Sequence, residues 1–298
     1  MPHHDLYHRL GQVPALLFCS LALGLFPPAS ALAQADRPVI ASSDITFAPT
    51  ASNTLIATDH ATIRDDLMGQ VLIQTINAIP ASADLVGWAS ELGGNSLFVL
   101  DTAASLPGDV VARSGDVIRL DGVDFSIAFD ATASGVPAAA RVDAVSSLPS
   151  GLLLSFDTTV ALPGGLTVAD EDLVGWDGVA YSMLLDGSAA GIDSRLDIDA
   201  AHALGGGYYA VSFDTDGIVG SVAFSDHDIV RWDGTSWSLQ LATTSLDLDW
   251  APADLDALMV PEPRLSGSIV LMMIAWIAIL ARMNGYLVKG KIDPGIPS

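Results

Sequence analysis

Along the middle of the chain, apolar residues come in short runs rich in Val, Ile, Phe, Tyr and Trp, divided by Asp, Gly and Pro. Runs of that length and composition predict strands, and helix-start signals between them are few. The runs recur in a set order. One ends in Asp, as in SLFVLD to Asp101, LLLSFD to Asp157 and YAVSFD to Asp214. After a polar or Pro-Gly stretch a second run enters Asp-Gly, at 121–122, 177–178 and 233–234. A third alternates apolar and polar positions, the mark of a half-buried strand: FSIAF from Phe125, YSMLL from Tyr181 and WSLQL from Trp237. Asp-Gly between two such runs predicts a hairpin whose central residues take positive φ.

The sharpest column is DLVGWDG at 172–178. It returns as DIVRWDG at 228–234 and more loosely as DVIRLDG at 116–122, a register of 56 residues each time. A fixed period of this length marks a repeat architecture. Each unit closes with Asp-Ala, at 143–144, 199–200 and 256–257. The units fall near 36–90, 91–147, 148–203 and 204–258; the first carries ADLVGW, ending at Trp88, without the Asp-Gly that should follow, and reads as an incomplete repeat. Three or four strands per unit is the content of a propeller blade. The expected fold is therefore all-β, with about four units in a small β-propeller-like ectodomain over 34–259. An open repeat array and a sandwich are the alternatives.

The two ends break this pattern. Residues 1–33 read as a secretory signal peptide: Arg9 near the start, an apolar run over 13–26, Pro27-Pro28, then Ala31-Leu-Ala33 as the cleavage pattern. Phe18 before Cys19 argues against a lipoprotein leader, which wants a small residue there. Cys19 is the sole cysteine, so the mature chain forms no disulfide and no Cys-zinc site. Near the other end, 265–281 carries no charge and predicts a transmembrane helix at the short end of the spanning range. Arg282, Lys289 and Lys291 follow it, so the positive-inside bias leaves 283–298 as a cytoplasmic tail and the repeats outside.

Charge narrows the partners. The whole chain carries a formal −23, and between Gln34 and Arg264 it has no lysine. Nearly all its acids are Asp, a turn former and a hard oxygen ligand. Such a surface repels nucleic acid and anionic lipid and attracts cations or basic partners.

Candidate chemistry is sparse. Aligned acids stand at Asp101, Asp157 and Asp214, at Asp116, Asp172 and Asp228, and at Asp121, Asp177 and Asp233. Asp170, Glu171 and Asp172, with Asp226 and Asp228, cluster oxygen donors at strand starts, and Ca²⁺ coordination is one reading of them, although no EF-hand or glycine-rich nonapeptide spacing is present. The other reading is that these aspartates cap turns and solvate strand edges; it is favoured where Gly follows directly. No G-x-S-x-G or H-E-x-x-H occurs, and only His60, His202 and His227 follow the leader. A paired-carboxylate glycosidase is a weaker reading, because acids repeated in every unit are better explained by architecture. Trp88, Trp176 and Trp232 share one slot, suited to sugar stacking or to packing between units; Leu120 in the same column favours packing. No catalytic residue and no cofactor other than Ca²⁺ is expected.

The order Val260-Pro261-Glu262-Pro263, apolar helix, Arg282 resembles the PEP-CTERM sorting signal of Gram-negative bacteria. That resemblance covers 260–282 and implies processing by an exosortase, delivery to the cell envelope, and a place at the surface or in an exopolysaccharide matrix. The repeats also look like Asp-rich β-repeat segments of bacterial surface proteins without an assigned activity. The expectation is a non-enzymatic, membrane-anchored surface or matrix protein with exopolysaccharide or surface proteins as partners. A Ca²⁺- or glycan-binding module is the alternative, and a polysaccharide-active enzyme the remoter one.

Overall fold

The computed structural model describes residues 39–43, 61–65, 71–76, 78–80, 82–91, 94–245 and 248–260. All lie in a unit that ends at Pro261. The leader with Ala31 and Ala33, the residues Pro261, Glu262, Pro263 and Arg282, and the apolar stretch 265–281 lie outside the described residues. Among the described residues no helix is long and apolar enough to cross a membrane.

Three strands open the described chain: β1 (Val39–Ser42), β2 (Ala61–Asp65) and β3 (Val71–Thr75). Then one pattern runs three times. Its first pass is β4 (Leu85–Ser90), β5 (Ser96–Leu100), the hairpin of β6 (Ala104–Leu106) and β7 (Val110–Ala112), β8 (Val117–Asp121) and β9 (Asp124–Phe129). The second is β10 (Val142–Leu148), β11 (Gly151–Phe156), the hairpin of β12 (Val160–Leu162) and β13 (Leu166–Val168), β14 (Leu173–Trp176) and β15 (Tyr181–Leu185). A single helical turn, α1 (Gly187–Ala190), follows, capped by the Asp186 side chain. The third is β16 (Ala200–Gly205), β17 (Tyr208–Ser212), the hairpin of β18 (Gly217–Val219) and β19 (Val222–Phe224), β20 (Ile229–Trp232) and β21 (Trp237–Leu241). After two 3-10 turns, Thr243–Ser245 and Leu248–Trp250, the last strand is β22 (Ala257–Met259).

Among the described residues these strands make four antiparallel four-stranded sheets: β4-β5-β8-β9, β10-β11-β14-β15, β16-β17-β20-β21 and β22-β1-β2-β3. We call them sheets I to IV. The last joins the two ends of the described chain, with Ile40 opposite Met259, Ala41 opposite Leu258 and Ser42 opposite Ala257. In sheets I to III the second strand is the most buried and the last the least. Strand β11 is buried at five consecutive residues, whereas the outer β9 alternates exposed and half-buried positions along most of its length. The continuous runs of the sequence are thus strands covered on both faces, and the alternating runs are the outer edges.

The cores lie between sheets rather than within any one. Val99, Val117 and Phe129 of sheet I pack with Val145, Leu154 and Phe156 of sheet II. Leu153 and Leu173 of sheet II pack with Tyr209 and Val211 of sheet III and with Phe213, the residue just after β17. Ala210 and Ile229 of sheet III pack with Ala41 and Leu258 of sheet IV, and Ala257 and Met259 of sheet IV with Trp88 and Phe98 of sheet I. The first strands adjoin in the same cyclic order: β4 by β10, β10 by β16, β16 by β22, and β22 by β4.

The sheets are out of phase with the units expected at 36–90, 91–147, 148–203 and 204–258. Each Asp-Ala segment that reads as the close of a unit begins the first strand of a sheet, as Ala144 does within β10. The hairpin of β10 and β11 therefore spans the expected boundary between 147 and 148. The period gives the spacing, but strand pairing sets where a sheet begins. Trp88 is accordingly not in the column of Trp176 and Trp232: it sits on the first strand of sheet I, while they sit on third strands. The segment read as an incomplete repeat supplies three strands of sheet IV, completed by β22, and one of sheet I.

Candidate functional site

The aligned acids are three devices. The signature aspartates each bind two backbone N–H groups. Asp116 accepts from Arg113 at 2.9 Å and from Ala131 at 2.9 Å. Asp172 accepts from Ala169 and Gly187, both at 2.8 Å, and Asp228 from Ser225 at 3.1 Å and Thr243 at 3.2 Å. The reach is the same each time, three residues back and fifteen on, and all three side chains are buried. Each carboxylate thus pins the start of a third strand to the segment after the fourth, satisfying amides that have no strand partner. Burial raises the Asp172 carboxyl, against the pull of its two amides.

Asp101, Asp157 and Asp214 are clamps at the open end of the first hairpin. Their Oδ1 atoms accept from the backbone N–H groups of Asp84, Arg141 and Asp197 at 2.7, 2.7 and 3.1 Å. Their own N–H groups return bonds to the carbonyls of the same residues. Asp177 and Asp233 cap turns: Asp177 accepts from Val179 and Ala180, Asp233 from Thr235 and Ser236. Only the Gly of each Asp-Gly has positive φ, +97° at Gly178 and +88° at Gly234. The Asp precedes the turn instead of occupying its centre, a correction to the expected geometry; Gly is the first central residue, as in a II′ hairpin.

The residues expected to gather a cation divide. Asp172 and Asp228 are committed to backbone. Asp226 holds His227, accepting from its N–H at 2.8 Å and lying 2.9 Å from its Nδ1, while His227 Nε2 is 3.9 Å from Asp228. Glu171 is buried, with Oε1 on the Ser188 hydroxyl at 2.7 Å and Oε2 without a hydrogen-bond partner. Burial, then the hydrogen bond with Glu171, lifts the neighbouring Asp170 carboxyl. Among the described residues no three His, Cys, Asp or Glu side chains stand as a ready metal cage.

A second acidic group lies where the first strands begin. The four starts read Asp84-Leu-Val86-Gly87, Arg141-Val-Asp143-Ala144, Asp197-Ile-Asp199-Ala200 and Asp254-Leu-Asp256-Ala257. The small fourth residue has a cause: a Cβ at Gly87 would meet the Asp143 carbonyl at 3.3 Å and Val145 at 3.2 Å, so adjoining first strands leave little room there. The strands run in register, since Ser146 Oγ lies 3.2 Å from Nδ1 of His202, its counterpart on β16. Burial first, then Asp197 and Asp157, pushes the Asp143 carboxyl up to about 8. Burial, then Asp170 and Asp214, pushes Asp197 up to about 7. Asp199 is raised well above the usual range by burial and then by Asp254 and Asp256. Both Asp199 oxygens and Asp197 Oδ1 are shut off from solvent and have no hydrogen-bond partner. The neighbouring base, Arg141, is taken by Asp157 at 2.9 Å. The sequence signal for this group was the recurring Asp-Ala pair, which reads only as the end of a unit until the first strands are seen side by side.

The aromatic slot is packing. Trp176 lies edge-on to Phe129 of sheet I, ring centroids 5.9 Å apart, and Trp232 packs on Trp237 at 5.0 Å. Neighbouring units are also tied by polar bonds at equivalent positions, Tyr181 Oη to the Ser134 carbonyl at 3.2 Å and Trp237 Nε1 to the Ala190 carbonyl at 2.9 Å. The Ser146–His202 pair joins a hydroxyl and an imidazole, but Ser146 is fully buried and also accepts from the Ala203 N–H, as an inter-strand tie would.

No family model matches the chain, and no curated protein does. Among solved structures it is similar to the extracellular domain of a putative one-component system from B. thetaiotaomicron, at 10% identity and TM-score 0.29, over 66% of this chain and 27% of that one. A second structure, titled as the extracellular domain of a putative hybrid two-component system from B. thetaiotaomicron, matches at 10% identity and TM-score 0.29, over 62% and 25%. The chain thus spans about a quarter of each solved chain that it matches. A likeness of that strength carries no functional argument.

Proposed function

We propose that the chain is a membrane-tethered surface protein whose repeat region closes as a four-bladed β-propeller and serves interaction rather than turnover. The observation that carries the closure is the cyclic order of the four cores, the last of them between sheets IV and I, together with the pairing of β22 with β1. A sandwich has one core between two sheets; four cores in a ring are what blades around an axis produce. The scaffold reading is supported by the recurring aspartates, whose carboxylates are spent on backbone amides in the same way unit after unit. The surface reading rests on the A-x-A leader, the Val-Pro-Glu-Pro segment and the apolar stretch that precedes Arg282. An exosortase-like enzyme is then the processing partner, and exopolysaccharide or other envelope proteins are the partners of the propeller.

Expression of the full chain in a Gram-negative host, with fractionation and protease treatment of intact cells, tests this. The expected result is an envelope-associated protein shaved from outside, and changed processing when Pro261, Glu262 and Pro263 are replaced by Ala. Full-length protein recovered in the soluble cytoplasm would sink the proposal.

A further inference from the structure

The first strands of sheets II, III and IV each bring an aspartate to the same slot: Asp143, Asp199 and Asp256. In sheet I the slot holds Val86. One step earlier come Asp84, Arg141, Asp197 and Asp254. The starts are close in space as well as equivalent in sequence, because β10 adjoins β16 and β16 adjoins β22; Asp197 and Asp256 help raise the Asp143 carboxyl, and Asp254 and Asp256 that of Asp199.

A structural role of the kind seen at Asp172 would put backbone amides on these oxygens. Asp199 receives none: both oxygens are withdrawn from water without a hydrogen-bond partner, and so is Asp197 Oδ1. An ionised carboxylate in that position is costly unless a cation compensates it. Among the described residues compensation at Asp143 is partial: the chain has no lysine between Gln34 and Arg264, and the Arg141 guanidinium, which lowers the Asp143 carboxyl, is bonded to Asp157. The donors are carboxylate oxygens on three adjoining strands, the chemistry that suits hard divalent ions and not softer metals.

We propose that Asp143, Asp197, Asp199 and Asp256 form a binding site for a hard divalent cation of the Ca²⁺ class at the shared end of the first strands. The ion takes the place that protons hold in its absence, and because no ready cage exists among the described residues, binding draws the carboxylates together. Sheets II, III and IV are then tied by one charge at the axis end of their first strands. This site is distinct in its residues from the clusters at 170–172 and 226–228, and does not depend on where the protein resides.

The test uses the full chain, stripped with EDTA and held near neutral pH, with Ca²⁺ alone as the probe. Calorimetry should give a saturable heat, and millimolar Ca²⁺ should raise the melting midpoint by about 4 °C or more, as a ligand of the folded state does. NaCl at equal ionic strength should leave the midpoint unchanged. Asp199→Asn should raise the midpoint in EDTA, because folding near neutral pH no longer has to take up the proton that the buried carboxyl holds, and should weaken Ca²⁺ binding about 10-fold or more. Asp143→Asn should do the same and serves as the second variant should the first fail to fold. Glu171→Gln and Asp226→Asn should keep the Ca²⁺ response. No heat and no shift in the parent protein would overturn the proposal, as would unchanged affinity in both Asn variants, or loss of the response in Glu171→Gln with both Asn variants unaffected.

Discussion

At the scale of the residue, one amino acid does three jobs here, and the difference is what its oxygens reach. Asp172 reaches two buried amides, one of them fifteen residues on, whereas Asp177 reaches two amides in its own exposed turn. Removing a buried acceptor leaves its donors desolvated and unpaired, while an exposed turn rehydrates. Asp172→Ala should therefore cost about 3 kcal/mol of unfolding free energy, and Asp177→Ala about 1 kcal/mol or less, measured by urea titration. Equal losses would show that the long-range bonds carry no special weight. The sequence aligned both columns but gave no means of ranking them, because an Asp beside a β-type run looks the same whether its partner is two residues away or fifteen. Asp199 was masked for the same reason: only the adjoining strands reveal that its neighbours are other carboxylates.

At the scale of the element, strand identity was legible and strand grouping was not. The runs at 96–100, 152–156 and 208–212 are strands, and the Asp-Gly positions at 177–178 and 233–234 are tight hairpins, because local composition and turn chemistry decide both. Phase depends on pairing across turns such as the one between Leu148 and Gly151, which carry no Asp-Gly and so gave no hairpin signal. Gly151 shows how strictly that turn is built. Its φ is +138°, and a Cβ there would fall 1.9 Å from the Trp176 carbonyl oxygen on the next strand. Neither the backbone angle nor the space admits a side chain, and the obstacle is backbone that cannot swing aside. Gly151→Ala should destabilise by about 3 kcal/mol or more, whereas Gly164→Ala, where a Cβ meets nothing within 4 Å, should cost only the strain of its positive φ, about 1 kcal/mol. Thermal unfolding of the two variants side by side separates the collision from the conformational preference.

At the scale of the whole molecule, closure and charge make separate predictions. Ser42 and Ala257 are backbone register partners across the junction of β1 and β22. A cysteine pair there should oxidise readily and stabilise by about 4 kcal/mol, since it closes a very long loop; failure to form the bond would argue against the ring. The charge prediction concerns pH. The Asp143 carboxyl sits at about 8 and Asp197 at about 7, against an unfolded value near 3.8. The folded state thus holds protons that the unfolded chain has released, and its stability must fall as pH rises between the unfolded and the folded values. Asp193 and Asp233, both held down to about 2 by hydrogen bonds (Asp193 chiefly to Arg195, Asp233 chiefly to the Ser236 amide), work the other way, but only as pH falls below the unfolded value, and their exposure keeps the effect small. Urea midpoints measured in EDTA at constant ionic strength should therefore be highest near pH 4 to 5 and decline steadily to pH 8. With Asp143→Asn the decline should be shallower toward pH 8, because one of the groups that gives up its proton there is gone. A midpoint that instead climbs from pH 5 to pH 8 would mean that these carboxylates are ionised and compensated throughout, and that burial does not govern the charge at the start of the first strands.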